Sequence, residues 1–272
     1  MIYQEILPCP ALRPFIRNYL LVHLQDVVFP VKPYPTRIEQ ALVFFARGHI
    51  ESHDPLTGRS EKIARNALFG QQVSRLNFHT FTTPEFLMLM VIFQPGALYR
   101  LLGIASNKLT QEFCNAELVM NAELQLVNDQ IANATTYPAV IERAEEYLLR
   151  KLRNPKIDVH PIDRIGALLL HHPIPFSLDW LANQANLSPR QFERKFNERI
   201  GIGPKLYSRI SRFYQAFDYK EKHPTKDWLT VAVEFGYTDY NHLAKDFKQF
   251  THVTPNLILK EYAQRPEIIV PL

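Results

Sequence analysis

The chain has 272 residues, 46% of them hydrophobic, which is enough for one large domain or two ordinary ones with packed cores. Its formal net charge of +4 is modest, and it has no apolar run long enough to cross a membrane as a helix. Its two cysteines, Cys9 and Cys114, stand far apart and in no CxxC pair, which argues against a disulfide scaffold, a zinc finger or a dithiol redox site and for a reducing, cytoplasmic setting.

In chain order, the opening MIYQEILPCPALRPF lacks a basic n-region followed by an apolar h-region, so it does not read as a signal peptide. Short aromatic and β-branched runs follow: LVHLQDVVF, QALVFFA, NALFG, RLNFHTF and FLMLMVIF. Turn material such as KPYP, HDPLTGRS, TTPE and QPG separates them. Strand-sized runs at such short spacing predict a mostly-β, barrel- or sandwich-like domain. From about residue 97 the period turns helical, through ALYRLLG, AELQLVNDQIANA and PAVIERAEEYLLRKL. The last of these sets Ile141, Ala144, Tyr147, Leu148 and Leu152 on one face. NPKIDVHP reads as a linker, so the expected domains are 1–160 and 161–272.

Everything after the linker reads as helix: IDRIGALLLHH, stopped by Pro173, then SLDWLANQAN, SPRQFERKFNERI closed by Gly201, PKLYSRISRFYQAFDYKEK, DWLTVAVEFG, TDYNHLAKDFKQF and a last helix after Pro255. Part of this segment repeats. Leu181-Ala182 maps onto Val231-Ala232 and Asn186-Leu187 onto Gly236-Tyr237 at an offset of 50. At an offset of 51, Phe192 maps onto Leu243, Arg194 onto Lys245, Phe196 onto Phe247 and Pro204 onto Pro255. Two copies are too few for a solenoid, and they fit two helix-turn-helix modules joined by the long helix. The predicted fold is therefore α+β: a mostly-β domain with trailing helices, then an all-α domain.

The turn chemistry agrees. Ser188 is a good N-cap, Pro189 suits the first helical position and Gln191 can close a capping box. Gly236 permits the second turn, and Thr238 or Asp239 caps the next helix. In a helix-turn-helix the second helix enters the major groove. Phe192 and Phe196 would anchor that helix, leaving Arg190, Gln191, Arg194 and Lys195 to face the groove. Arg can donate two hydrogen bonds to guanine, and Gln or Asn can pair with adenine. Thr238, Tyr240, Asn241, His242 and Lys245 are the comparable set in the second module. Residues 188–212 hold seven basic side chains against two acidic, which suits a polyanion, and Lys205, Arg209 and Arg212 are placed for phosphates. A solvated face on an ordinary helical domain is the plainer alternative for any one such helix. The repeat, the matching caps and the basic face together favour double-stranded DNA.

With these residues in view, 173–262 resembles the DNA-binding domain of AraC/XylS-type bacterial transcription regulators. The carrying phrases are LDWLANQANLSPRQFERKFNERIGIGPKLY and VAVEFGYTDYNHLAKDFKQFTHVTPNLIL. The more specific marks are Val231-Ala232, Gly236-Tyr237, Phe247 and Thr254-Pro255. The resemblance implies base-contacting positions at Arg190, Glu193 and Arg194 on the first recognition helix and at Asn241, Ala244 and Lys245 on the second. Glu193 and Ala244 depart from the hydrogen-bond donors that relatives often carry there, and Asp239 and Asp246 make the second helix less basic. The front part, through LRPFIRNY, RIEQALVFF, GQQVSRL and VIFQPGALYRLLG, is similar to the N-terminal sensor-like domain of a subgroup of these regulators. That implies a regulatory role, with RNA polymerase, a small-molecule effector and a second copy of the chain as further partners.

Other candidates are weaker. His49 and His53 flank Glu51 in GHIESHD, a stretch that reads as a turn without a strong metal spacing. His171-His172 suits a helix C-terminus. Gly201-x-Gly203 follows no strand, so it is no dinucleotide loop, and no nucleophile elbow appears. No catalytic residue, cofactor or metal ligand is therefore assigned. An enzyme built on the β domain and a helical protein-interaction module are the alternative functions. Among Phe44, Phe45, Phe69, Phe78, Phe81 and Phe93, most read as core. If an effector pocket exists, Phe44 and Phe93 are candidates to line it, with Arg37 or Arg75 to hold an anion.

Overall fold

The computed structural model describes residues 2–25, 31–80, 85–152, 158–172 and 176–263. Among the described residues the front part has ten strands, the last of them after a first helix: β1 (Ile2–Ile6), β2 (Ile16–Gln25), β3 (Lys32–Tyr34), β4 (Ala41–Arg47), β5 (Ile50–His53), β6 (Ser60–Lys62), β7 (Asn66–Phe69), β8 (Leu76–Thr80), β9 (Glu85–Phe93) and β10 (Phe113–Asn115). They form a six-stranded sheet in the order β1-β2-β9-β4-β7-β10 and a four-stranded sheet in the order β3-β8-β5-β6. Every pairing is antiparallel.

The central strands are apolar on both faces, because both faces are covered. In β4, Leu42, Phe44 and Ala46 join one core and Ala41, Val43 and Phe45 another. The same alternation splits β9, with Leu87, Leu89, Val91 and Phe93 on one side and Phe86, Met90 and Ile92 on the other. The first core is closed by α1 (Ala97–Leu102), α2 (Ala116–Val119), α3 (Glu123–Ala132) and α4 (Tyr137–Leu152). Ala144, Tyr147 and Leu148 are buried there, and Ile141 is half-buried against it, as the spacing predicts; the Leu152 side chain lies outside the described residues. The second core lies toward the four-stranded sheet.

Two stretches that read as turns are strands. KPY forms β3 and IESH forms β5. Both are too short for a periodic signal, and each is held by its partner β8. β1, β6 and β10 are sheet edges, and their half-exposed sequences carry little pattern. Part of NPKIDVHP, Pro173 and three residues of TTPE lie outside the described residues.

Seven helices follow: α5 (Pro161–His171), α6 (Leu178–Gln184), α7 (Pro189–Ile200), α8 (Pro204–Lys222), α9 (Trp228–Glu234), α10 (Tyr240–Thr251) and α11 (Pro255–Tyr262). They share one core built on Phe192, Phe196, Phe213, Phe217, Phe247 and Phe250. The repeat holds at the level of single hydrogen bonds. Ser177 caps α6 and Asp227 caps α9, at an offset of 50. Leu187 N donates to Ala182 O at 3.0 Å, and Tyr237 N to Ala232 O at 2.8 Å. The residue before each of these donors is left-handed: Asn186 at φ 53° and Gly236 at φ 72°. Asn and Gly are the residues that tolerate this conformation, so the two turns are the same turn with different side chains. Open space surrounds Gly236, so a β-carbon there meets only backbone strain. Gly236→Ala is expected to cost about 1–2 kcal/mol. Asn186→Gly is expected to be close to neutral. Urea midpoints at unchanged slope would check both.

The front domain grips both modules. Thr110 donates to Gly201 O at 2.5 Å and Tyr99 to Glu198 at 3.0 Å, at the end of α7. Thr36 donates to Phe250 O at 3.0 Å, and Arg75 pairs with Glu261 at 2.6 Å, at the ends of α10 and α11.

Candidate nucleic-acid interface

Ser188 fixes the start of α7. Its hydroxyl accepts from Gln191 N at 3.3 Å, and Gln191 Oε1 accepts from Ser188 N at 3.2 Å. The capping box is therefore present, and it engages the Gln191 side chain. Asp239, not Thr238, caps α10, its carboxylate accepting from His242 N at 2.8 Å. That backbone bond, ahead of other causes, holds the Asp239 carboxyl below its usual range. Thr238 instead touches Asp239 and His242 through its hydroxyl.

With Phe192 and Phe196 fully buried, α7 turns Arg190, Glu193 and Arg194 outward, beside exposed Ser188 and Gln191 and half-buried Lys195. Leu243 and Phe247 do the same for α10, leaving Tyr240, Asn241 and Lys245 exposed and His242 half-buried, with Thr238 exposed ahead of it. Between the modules lies a groove of about 630 Å³, lined by Glu193 of α7, by Lys205, Arg209 and Arg212 of α8, and by His242, Lys245 and Asp246 of α10.

Several basic side chains in this region are already paired with carboxylates. Arg199 is buried against Asp163 in a two-pronged pair at 2.8 and 2.7 Å. Arg212 is buried too. It donates to Asp246 at 3.3 Å and to Gly236 O at 3.3 Å, and lies 4.1 Å over the Tyr237 ring. Arg209 is half-buried, donating to Asp246 at 2.5 Å and Gln249 at 2.6 Å. Arg212, expected to reach phosphates, is thus paired with Asp246 while it lines the groove. Asp246 is only 1% exposed and is paired with two guanidinium groups, so it adds no unmatched negative charge where it lines the groove. Its role in tying α10 to α8 and to the turn escaped the sequence, where one Asp on a helix carries no sign of an inward partner.

The expected effector residues divide. Arg37 lines a cavity of about 110 Å³ between the two sheets, together with Phe45, Phe69, Phe78, Phe86 and Met90. Phe44 and Phe93 lie on the opposite face of their strands, in the core toward the helices, and do not line it. Strand alternation decides this, and sequence alone left the face open. Arg75 is engaged with Glu261 and with Asn77 at 2.8 Å. His53 sits beside Ser60 at 3.1 Å and edge-on to His79. Among the described residues no group of three or more potential ligands could hold a metal, and no helix is long and apolar enough to cross a membrane.

Residues 181–261 match a family described as a helix-turn-helix domain, and residues 4–115 match one described as a domain of unknown function (DUF6597). None of the curated proteins matches the chain. Among solved structures, ToxT from Vibrio cholerae bound to an unsaturated fatty acid is similar over 92% of this chain and 96% of that one, at TM-score 0.52 and 11% identity. Apo ToxT from the same organism covers 90% of this chain and 97% of its own, at TM-score 0.50 and 14% identity. A regulator from Chromobacterium violaceum with an AraC-type DNA-binding domain covers 39% of this chain and 93% of its own, at TM-score 0.34 and 23% identity. The ToxT likeness is one of fold: an antiparallel sheet domain followed by a helical one.

Proposed function

We propose that this chain, a DNA-binding transcription regulator of the AraC type whose residues 181–261 belong to the helix-turn-helix family, reads two successive major-groove segments with α7 and α10. The observation that carries this is the pair of equivalent helices, capped and turned alike, each burying its apolar stripe and leaving Arg190, Arg194 and Lys195, and then Asn241, His242 and Lys245, at least partly open to solvent. Helices spaced by one helical turn of DNA, roughly 34 Å, would read faces about 10 bp apart. One chain would then recognise an asymmetric site. Ser188, Thr238 and Tyr240 stand at the helix entrances, where phosphates run. Exposed Lys205 and half-exposed Arg209 position the backbone without specifying sequence.

In this reading no residue is catalytic. The chain works on promoter DNA in the bacterial cytoplasm, with RNA polymerase as its further partner and a second copy of the chain as a candidate dimer mate. The front domain senses a small molecule. Two facts support that: the apolar cavity between the sheets, and the fatty acid bound by ToxT, whose fold is similar.

The test is selection of genomic fragments with the full chain, scored by gel shift across a salt series. Binding to a defined site that weakens steeply with salt is expected. Lys205→Ala should lower affinity evenly across sequences and reduce the salt slope by about one. Absence of any preferred site at every salt concentration, with and without candidate effectors, would reject the reading.

A further inference from the structure

The cavity between the sheets has a single polar end, and its chemistry selects a ligand. This rests on the reading of the front domain as a sensor. Most of the wall is hydrocarbon or aromatic. Tyr34 and Phe78 meet edge to face at 5.3 Å, and Phe69 and Phe78 at 6.3 Å. Met88 and Met90 add the adaptable side chains that fit themselves to an irregular guest.

The polar end consists of Arg37, Glu39 and Gln72. The two charges of the wall itself, Arg37 and Glu39, offset each other. Glu39 accepts from Arg17 at 3.1 Å and from Tyr34 at 2.7 Å, and lies 3.8 Å from Arg37. Arg17 is not part of the wall; it is the more solvated partner and also donates to Ile38 O at 3.0 Å. Arg37 donates to Tyr262 at 2.8 Å and lies 4.8 Å from the rings of both Tyr34 and Tyr214. An ionised guest would bring a further charge into a nearly apolar space beside Glu39, and burial of an unmatched charge is unfavourable.

Two polar atoms remain unmatched. Arg37 Nε, a donor, and Gln72 Oε1, an acceptor, are both buried without a hydrogen-bond partner. The Gln72 amide cannot simply turn over, because its Nε2 faces two carbonyls, Gly70 O and Glu112 O, each at 3.4 Å. One donor and one acceptor ask for a group that both accepts and donates. A hydroxyl does so; a carboxylate only accepts, and would set its lone pairs against Gln72 Oε1.

We propose that this cavity binds an uncharged, largely apolar molecule whose hydroxyl-type head lies between Arg37 and Gln72. Arg37 also touches Tyr214 on α8 and Tyr262 on α11, so the head group reaches a side chain shared with the DNA-binding domain.

The test is a matched pair of probes, benzyl alcohol and benzoate, titrated against the full chain at pH 7.5 by saturation-transfer NMR. Benzyl alcohol is expected to bind saturably and at least roughly tenfold more tightly than benzoate. Gln72→Leu should weaken benzyl alcohol with the fold intact by circular dichroism, and Glu39→Gln should narrow the preference by admitting benzoate. Benzoate binding as well as the alcohol would overturn the uncharged ligand and leave the sensor reading standing. An alcohol preference untouched by Gln72→Leu would overturn the head-group placement. Saturable binding of neither probe would overturn the cavity as a ligand site, while DNA selection would still report separately on the regulator.

Discussion

Arg194→Ala is expected to weaken binding to the selected site by about 1–3 kcal/mol and to relax sequence preference at one base pair. The side chain is exposed on α7, one turn after Arg190, and the structure gives it no hydrogen bond or ion pair among the described residues that the substitution would break. Stability should therefore change by less than about 0.5 kcal/mol, the usual range for such surface positions. That separation is what makes the variant informative. A folding defect would lower affinity for every sequence alike. Loss of a bidentate guanine contact lowers it mainly for the cognate base. Affinities of wild type and variant for the site and for its single-base changes at position-matched salt would decide between them. A variant that weakens all sequences equally, with an unchanged ranking of bases, would reassign Arg194 to the phosphate backbone. Arg190→Ala should act at a neighbouring base pair. The double variant should be close to additive if the two side chains read separate pairs.

How much of this was legible beforehand depends on which forces write themselves into local sequence. Caps and turns are local, so Ser188, Gln191 and Gly236 could be read directly, and the structure places them as read; Asn186 was read only as a position of the repeat, and its left-handed turn comes from the structure. The repeat carried the two modules, because the same buried positions recur: Ala182 with Ala232, Phe196 with Phe247. Faces were harder. In the front sheet every central position is apolar, so alternation vanishes from the sequence, and Phe44 could not be told from Phe45 as a cavity residue. Charge was hardest of all. Arg190, Arg199 and Arg212 look alike in a count, yet one is exposed and two are buried on carboxylates supplied from 36 and 34 residues away. Long-range pairing leaves no local signature. Composition alone therefore overstated the unpaired positive charge of the helical region.

The carboxylate on which Arg212 depends leads to the largest expected effect on stability. Asp246 is almost fully buried and accepts from Arg209, from Arg212 and from the Tyr237 hydroxyl at 3.2 Å. Burial first, and the Asp246 charge next, push the Tyr237 phenol well up, so it stays a donor. Asp246→Ala leaves Arg212 buried without its counter-charge. Breaking a buried pair by removing one partner costs about 3–5 kcal/mol. That is a large share of the roughly 5–15 kcal/mol that holds an ordinary domain folded, so the melting temperature should drop sharply. Arg209 is partly solvated and should lose little. The cause can be isolated. If the unpaired guanidinium is responsible, Asp246→Ala combined with Arg212→Leu should recover part of the loss, because no buried charge then remains. A double variant as unstable as the single one would place the cost in the Tyr237 and Arg209 contacts instead. DNA binding should track the pair as well. Asp246 fastens the body of α10 to α8 and to the Gly236 turn, and so sets the direction in which Asn241 and Lys245 point. At temperatures where the single variant is still folded, its affinity should fall most for base changes on the α10 half of the site. Equal losses on both halves would mean that Asp246 serves the fold alone.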